Sequence, residues 1–232
     1  MQSTSALYKS ILAGNNHWYE TKVNIGGVDY GENVLFSVST SSSMFSGNPE
    51  LGKAISGEID ISMIAPSTVI PKMATIIPYV RVCNATQQSE WIQHGVYFID
   101  TRETTQNGDG LNVMDIHGYD AMLKGEQMYP TTSLDWPAVD TDVLEEIASF
   151  MGVDIDSRTY DIMTEAYTLP LPASYTMREV LGYLGSMYAG SFIITELGKL
   201  RLISIYDLPP ETNYLVDNAG SAITFGGDRI LV

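Results

Sequence analysis

The chain has 232 residues, 44% of them apolar and 17% charged. That is enough hydrophobic material for one large or two small cores and too much for a disordered segment. Twenty-eight acidic residues against twelve basic ones leave a net charge of −16, a balance that disfavours binding to nucleic-acid phosphates or anionic lipid, and the single cysteine, Cys83, cannot form an internal disulfide.

The opening "MQSTSALYKSILAG" lacks the basic segment and long apolar run of a secretory signal. It predicts a short helix over Ser5 to Ala13. Strands follow in "HWYETKVNI", "NVLFSVST", "AISGEIDISMI", "TIIPYVRV" and "GVYFIDTRE", all rich in β-branched and aromatic residues and separated by turn residues. In "GEIDISMI", Ile59, Ile61 and Met63 alternate with Asp60 and Ser62, the pattern of a strand with one buried face. "GVYFIDTRETTQNGDGLNVMDIHGYD" reads as two long strands joined at Asn107-Gly108-Asp109-Gly110, residues that accept the positive φ of a hairpin turn. Gly118 is expected to open the turn into a short helix, Tyr119 to Lys124. The spacing of the strands suggests a barrel or sandwich.

Past Pro130 the period changes. "TDVLEEIASFMG" places Val143, Ile147 and Phe150 at helical spacing, with an Asp142 to Glu145 capping pair at its start and Gly152 as its stop. "TMREVLGYLGSMYAG" has a Thr176/Glu179 capping box and Gly190 as its expected C-terminal glycine. Its apolar residues form two stripes, Met177, Leu181, Leu184, Tyr188 and Val180, Tyr183, Met187, so the helix is expected to be buried and its Met and aromatic residues to be core, not a cofactor box. "SFIITELGKLRLIS" completes a helix-on-sheet unit as a hairpin turning at Leu197-Gly198. The uncharged run Val180 to Thr195 is short for a bilayer span and contains three glycines, so no membrane span is expected. Pro209-Pro210 reads as a linker, and "SAITF" and "RILV" as fresh strands of an unfinished third unit.

The blocks "ELGKAISGEIDISMI", "SEWIQHGVYFIDTRETTQNGDGLNVMDIHGYDAMLKGE", "DTDVLEEIASFMGVDID" and "YTMREVLGYLGSMYAGSFIITELGKLRLI" occur in this order over roughly Leu7 to Ile205. Together they resemble the N-terminal part of the tail hub proteins of tailed bacteriophages and prophages, the baseplate hub or tail-associated proteins at the distal end of the tail tube. The resemblance implies an α+β fold: a mainly antiparallel, tail-tube-like β-barrel over residues 1–127, a small α/β domain of two helices packed on a small sheet over 128–206, and over 207–232 a linker with the start of a second, incomplete barrel. It also implies a structural virion protein that closes or continues the tail tube and supports the tip, assembled in the bacterial host cytoplasm. Its expected partners are tail tube, distal tail or baseplate proteins. The complete protein is expected to be a homotrimer whose barrels surround the DNA channel. This chain alone, ending after "RILV", is expected to be a monomer or a weak oligomer.

Neither the resemblance nor the residues assign a catalytic, cofactor-binding or metal-ligating position, and no enzyme activity or cofactor is expected. The most tempting constellation is "MDIHGYDAML", where Asp115 and His117 leave one face of a strand and Asp120 follows. Two ligands from one strand do not make a metal site. Asp100 joins them only in the right hairpin register, and His17 and His94 stand at no ligand spacing. The polar pair is therefore expected to face water or a neighbouring subunit. "NGDGLNVMD" lacks the terminal glutamate of a calcium loop, "SSSMFSG" lacks the end of a phosphate loop, and Ser39, Ser41 and Ser42 sit in no nucleophile elbow.

Two alternatives to a structural hub are a tail-associated cell-wall hydrolase and a carbohydrate-binding tip module. The first needs converging polar groups in a cleft. The second needs exposed aromatic platforms, for which Trp18, Trp91 and Trp136 are the tryptophan candidates, with Trp136 expected as a buried wedge between the two domains. Between Glu126 and Glu165 ten acidic residues face Arg158 alone, which makes either a solvated, solubilising surface or a surface that keeps passing DNA from sticking.

Overall fold

Alternation of apolar and polar side chains builds the first half of the molecule and helical periodicity the second. The computed structural model describes residues 4–43, 51–106, 108, 110–130, 133–204, 224–225 and 228–229. Its first part comprises the helix α1 (Ala6–Leu12) and the strands β1 (Trp18–Ile25), β2 (Val28–Gly31), β3 (Leu35–Ser42), β4 (Ala54–Ile55), β5 (Gly57–Ile64), β6 (Thr75–Cys83), β7 (Ile92–Gln93), β8 (Tyr97–Gln106) and β9 (Asn112–Asp120). A 3₁₀ helix, Ala121–Glu126, leads to β10 (Ala138–Val139), α2 (Asp140–Met151), α3 (Arg158–Ile162), β11 (Thr168–Leu169), α4 (Met177–Met187), β12 (Gly190–Ile194) and β13 (Leu200–Ser204). The strands β14 (Thr224–Phe225) and β15 (Asp228–Arg229) pair with each other. Most of the expected linker and third unit, and Asn107 and Asp109 of the expected hairpin turn, lie outside the described residues. No helix among the described residues is long and apolar enough to cross a membrane.

The architecture is α+β and mainly antiparallel. Eight strands form one sheet in the order β2-β1-β6-β8-β9-β5-β3, with β7 added to β6. In β5, Ile59, Ile61 and Met63 are buried, while Asp60 and Ser62 take the opposite face, as the alternation requires. These apolar residues join Val23, Ile25, Ile76, Ile99 and Ile116 in one core, so the sheet wraps around a single cluster fed by five strands. The expected closed barrel is not found among the described residues. Closure needs hydrogen bonds between the end strands, and β2 and β3 make none with each other.

The long hairpin β8–β9 forms as expected, with a β-bulge at Asp100, because Ile99 pairs with Gly118 and Thr101 with His117. Gly118 does not open a turn. It lies inside β9, where a Cβ would stand 2.6 Å from the Phe98 carbonyl oxygen, so glycine is what lets the two strands approach. The short helix begins later, at Ala121, capped by Asp120.

The second core gathers α2, α4 and a three-stranded sheet, β13-β12-β4. Here β4 comes from the first half of the chain and pairs parallel with β12, so the small sheet is mixed and not a simple hairpin. The helix α2 starts three residues earlier than its acidic pair suggests: Val139 is the N-cap, without a side-chain bond, and Asp140 and Asp142 occupy the first turn, where carboxylates meet the positive end of the helix dipole. Gly152, at φ 68°, ends it. Its buried face is Val143, Leu144, Ile147, Ala148 and Met151, whereas Phe150 is half exposed.

The Thr176/Glu179 capping box of α4 is present. Of the two expected stripes of α4, the second is covered only at Val180. Met177, Val180, Leu181 and Leu184 are buried, but Tyr183 and Met187 reach solvent, Tyr183 lying edge-on to Tyr175 at 5.2 Å. Gly190 is not the helix-ending glycine. It is the first residue of β12, where a Cβ would meet the Ile203 carbonyl oxygen at 2.5 Å, and the positive φ of 50° falls on Ala189. Trp136 is not a wedge between two cores. It packs on the second core beside Tyr129.

Candidate functional site

The polar face of the large sheet is where the conspicuous residues of the sequence come together. Strand register aligns them in two rows across four strands. One row runs Ser39, Asp60, His117, Thr101, and the next runs Ser37, Ser62, Asp115, Glu103. His117 Nδ1 lies 2.7 Å from Asp60 Oδ1, and its ring meets Tyr119 edge-on at 4.8 Å. Asp115 points the same way as His117, as its spacing demands, but its neighbours are Ser62 and Glu103. Glu103 opposite Asp115 places like charges side by side, an arrangement that an antiparallel pair tolerates only where water screens them. Asp100, displaced by the bulge, has no place in either row.

Chemically this face offers a hydrogen-bonded imidazole–carboxylate pair amid hydroxyls and carboxylates. Ser39 is separated from His117 by the Asp60 strand, roughly 10 Å at the usual strand spacing, so serine and histidine are not in hydrogen-bond reach as a nucleophile and its base must be. No group of three or more His, Cys, Asp or Glu among the described residues is arranged to hold a metal ion. The other histidines stand elsewhere: His17 Nδ1 is 2.8 Å from the Gly14 carbonyl oxygen, and His94 lines a cavity between the two cores. Ser41 and Ser42 end the edge strand β3. Cys83 is buried and unpaired.

The tryptophans differ in what they present. The Arg81 guanidinium lies 4.4 Å over the Trp91 ring and the Lys22 ammonium 5.1 Å from it, so cations already occupy that ring. Trp18 is half exposed and directs its indole nitrogen to Glu20 at 3.4 Å.

Sequence reading missed Asp120 as the polar centre of the junction. It is 5% exposed and accepts hydrogen bonds from the Gly57 N–H at 2.6 Å, the Met122 N–H at 2.9 Å and the Ser56 hydroxyl at 3.2 Å. Burial pushes its carboxyl up to about 6, against the pull of those donors. Burial, with the Asp120 charge beside it, also pushes the Tyr97 phenol up to about 12. The available signal was an aspartate immediately before a helix start. A second missed feature is the way tyrosines hold the acidic helix α2: the Tyr188 hydroxyl donates to buried Asp140, that of Tyr129 to Glu146, and that of Tyr160 to Glu145 at 3.1 Å. Burial and the bond to Asp140 raise the Tyr188 phenol. The one arginine in this region, Arg158, holds the Asp156 carboxyl down to about 2 through hydrogen bonds.

This arrangement, an eight-stranded antiparallel sheet followed by a helical body on a small mixed sheet, is similar in fold to two tail proteins of known structure. The 43 kDa tail protein of prophage MuSo2 from Shewanella oneidensis superimposes with a TM-score of 0.54 at 12% identity, over 82% of this chain and 56% of that one. The tail protein from Neisseria meningitidis MC58 does so with a TM-score of 0.53 at 11% identity, over 83% of this chain and 54% of that one. The chain thus spans about half the length of these two proteins. No protein-family model matches the sequence, and no curated protein matches it as a relative.

Proposed function

We propose that this chain is the structural part of a hub at the distal end of a phage or prophage tail, where its large sheet belongs to a tube-like barrel that continues the tail tube. The observation that carries this reading is the two-faced sheet. One side closes an apolar core, the other aligns Ser, Asp and Glu in rows, and its end strands β2 and β3 are each paired on one side only among the described residues, as an edge that continues into a neighbour would be. Its fold likeness to two prophage and bacterial tail proteins supports the same assignment. On this reading residues 1–127 are the barrel, 128–206 the small domain, and 207–232 lead into a second barrel. Three subunits with two barrels each close a ring that sits in the virion tail between tube and tip proteins, after assembly in the host cytoplasm. The acidic face bearing Asp60, Glu103 and Asp115 suits a wall past which DNA slides, since carboxylates repel phosphates and release no counterions to them.

The role is non-enzymatic, supported by the separation of Ser39 from His117. Light scattering on the protein at its full natural length should give a trimer that persists on dilution, and a monomer at every concentration would sink the ring. A peptidoglycan zymogram should stay uncleared. A cleared band that disappears in His117→Ala would replace the hub by the hydrolase reading.

A further inference from the structure

Two adjacent crossings of the chain between its two cores are held by one carboxylate. At the first, β4 of the small sheet passes through Ser56 into β5 of the large sheet. At the second, β9 passes through Asp120 into the 3₁₀ helix, whose Met122 is fully buried in the second core. Asp120 Oδ2 accepts from Gly57 at the first crossing, and Oδ1 accepts from Met122 at the second and from the Ser56 hydroxyl. The titratable and charged groups facing it are Tyr97, its ladder partner on β8, Glu196 in the β12–β13 turn, His94 before β8, and Arg178 of α4. Arg178 is engaged elsewhere, donating to the Ala54 carbonyl at 2.8 Å and pairing with Glu126. The carboxylate lines a cavity of about 240 Å³ between the cores, shared with Tyr97, His94, Thr195 and Glu196, which gives a proton a way in.

We infer that Asp120 is a proton-operated clamp between the two cores: ionised, it fastens both crossings, and on taking up a proton at Oδ1 it keeps the Gly57 end and loosens the Met122 end. The proton goes to Oδ1 because the Gly57 bond on Oδ2, at 2.6 Å, is the shorter. In addition, the Ser56 hydroxyl can turn toward the Gly57 carbonyl at 3.4 Å and accept the new O–H. The Met122 N–H is then left facing a hydroxyl oxygen, a much weaker acceptor than the carboxylate, and the cap of the 3₁₀ helix weakens. With the folded-state carboxyl near 6 and its ordinary value at 3.8, the ionised form is the penalised one. Stability contributed by this group therefore rises as pH falls from above about 6 toward about 4, while the Met122 corner loosens. Those opposite directions mark a clamp apart from a buried acid with no second role, and they do not depend on the tail reading.

The test is an NMR titration of the wild-type chain that follows the Asp120 carboxyl carbon together with hydrogen exchange at Met122 and Gly57, corrected for the intrinsic rate at each pH. The carboxyl should titrate near 6, and across that step the Met122 amide should lose protection by about fivefold, no more than the loss of one helix cap, while Gly57 keeps its own. In Asp120→Asn the Met122 protection should no longer depend on pH. A wild-type carboxyl that titrates in the ordinary range, or Met122 and Gly57 amides that respond alike or not at all, would overturn the clamp whether or not the variant folds.

Discussion

Between Glu126 and Glu165 there is one cation for ten acids, and three of the carboxylates of α2 accept hydrogen bonds from tyrosine phenols. Of the three tyrosine–carboxylate bonds, only Tyr188 to Asp140 ends on a residue that is 0% exposed. Truncating the donor to Tyr188→Phe leaves a buried carboxylate short of a partner, at a cost of about 1–3 kcal/mol. The exposed pair should be almost silent, Tyr160→Phe costing under about 0.5 kcal/mol. Urea denaturation of the two variants checks this, and equal losses would contradict the assignment. None of these bonds was legible in the sequence, since each joins residues fifteen or more positions apart and no local spacing signals a phenol beside a carboxylate. The opposite held for Asp115 and His117. Their common face followed from strand period alone, but the partner of His117, Asp60, depended on the register of a third strand.

At the level of elements, what could be read was what repeats locally: the alternation of β5, the long β8–β9 hairpin, and the capping box of α4. What could not be read was set by tertiary pairing. The two residues of β4 join a sheet whose other strands lie more than a hundred positions later, and two residues carry no period. The glycines of α4 show the same limit. Within a sequence they argue weakly against a helix, whereas in the fold Gly182 is where α4 meets the loop before β4: a Cβ there would stand 2.7 Å from the Gly52 carbonyl oxygen. Gly182→Ala should therefore destabilise the protein by about 1–3 kcal/mol through overpacking, although the same change on a free helix gains about 1 kcal/mol in propensity. A rise in thermal midpoint would show that the loop gives way and that this crossing does not fix α4.

Across the whole molecule, the large sheet ends in an eight-residue strand, β3, that carries neither charge nor proline, the devices by which exposed edges are normally protected. If that edge serves assembly, the double substitution Ser37→Lys, Ser39→Lys on its polar face should abolish concentration-dependent association in sedimentation velocity. Stability should stay within about 0.5 kcal/mol, as for other surface changes. Undiminished association would move the contact to another surface. The central claim, that the sheet belongs to a ring around a channel, is tested most directly by negative-stain imaging of the protein at its full natural length. Rings with threefold symmetry and a central hole are the predicted result, and compact particles without a hole at every concentration would contradict it.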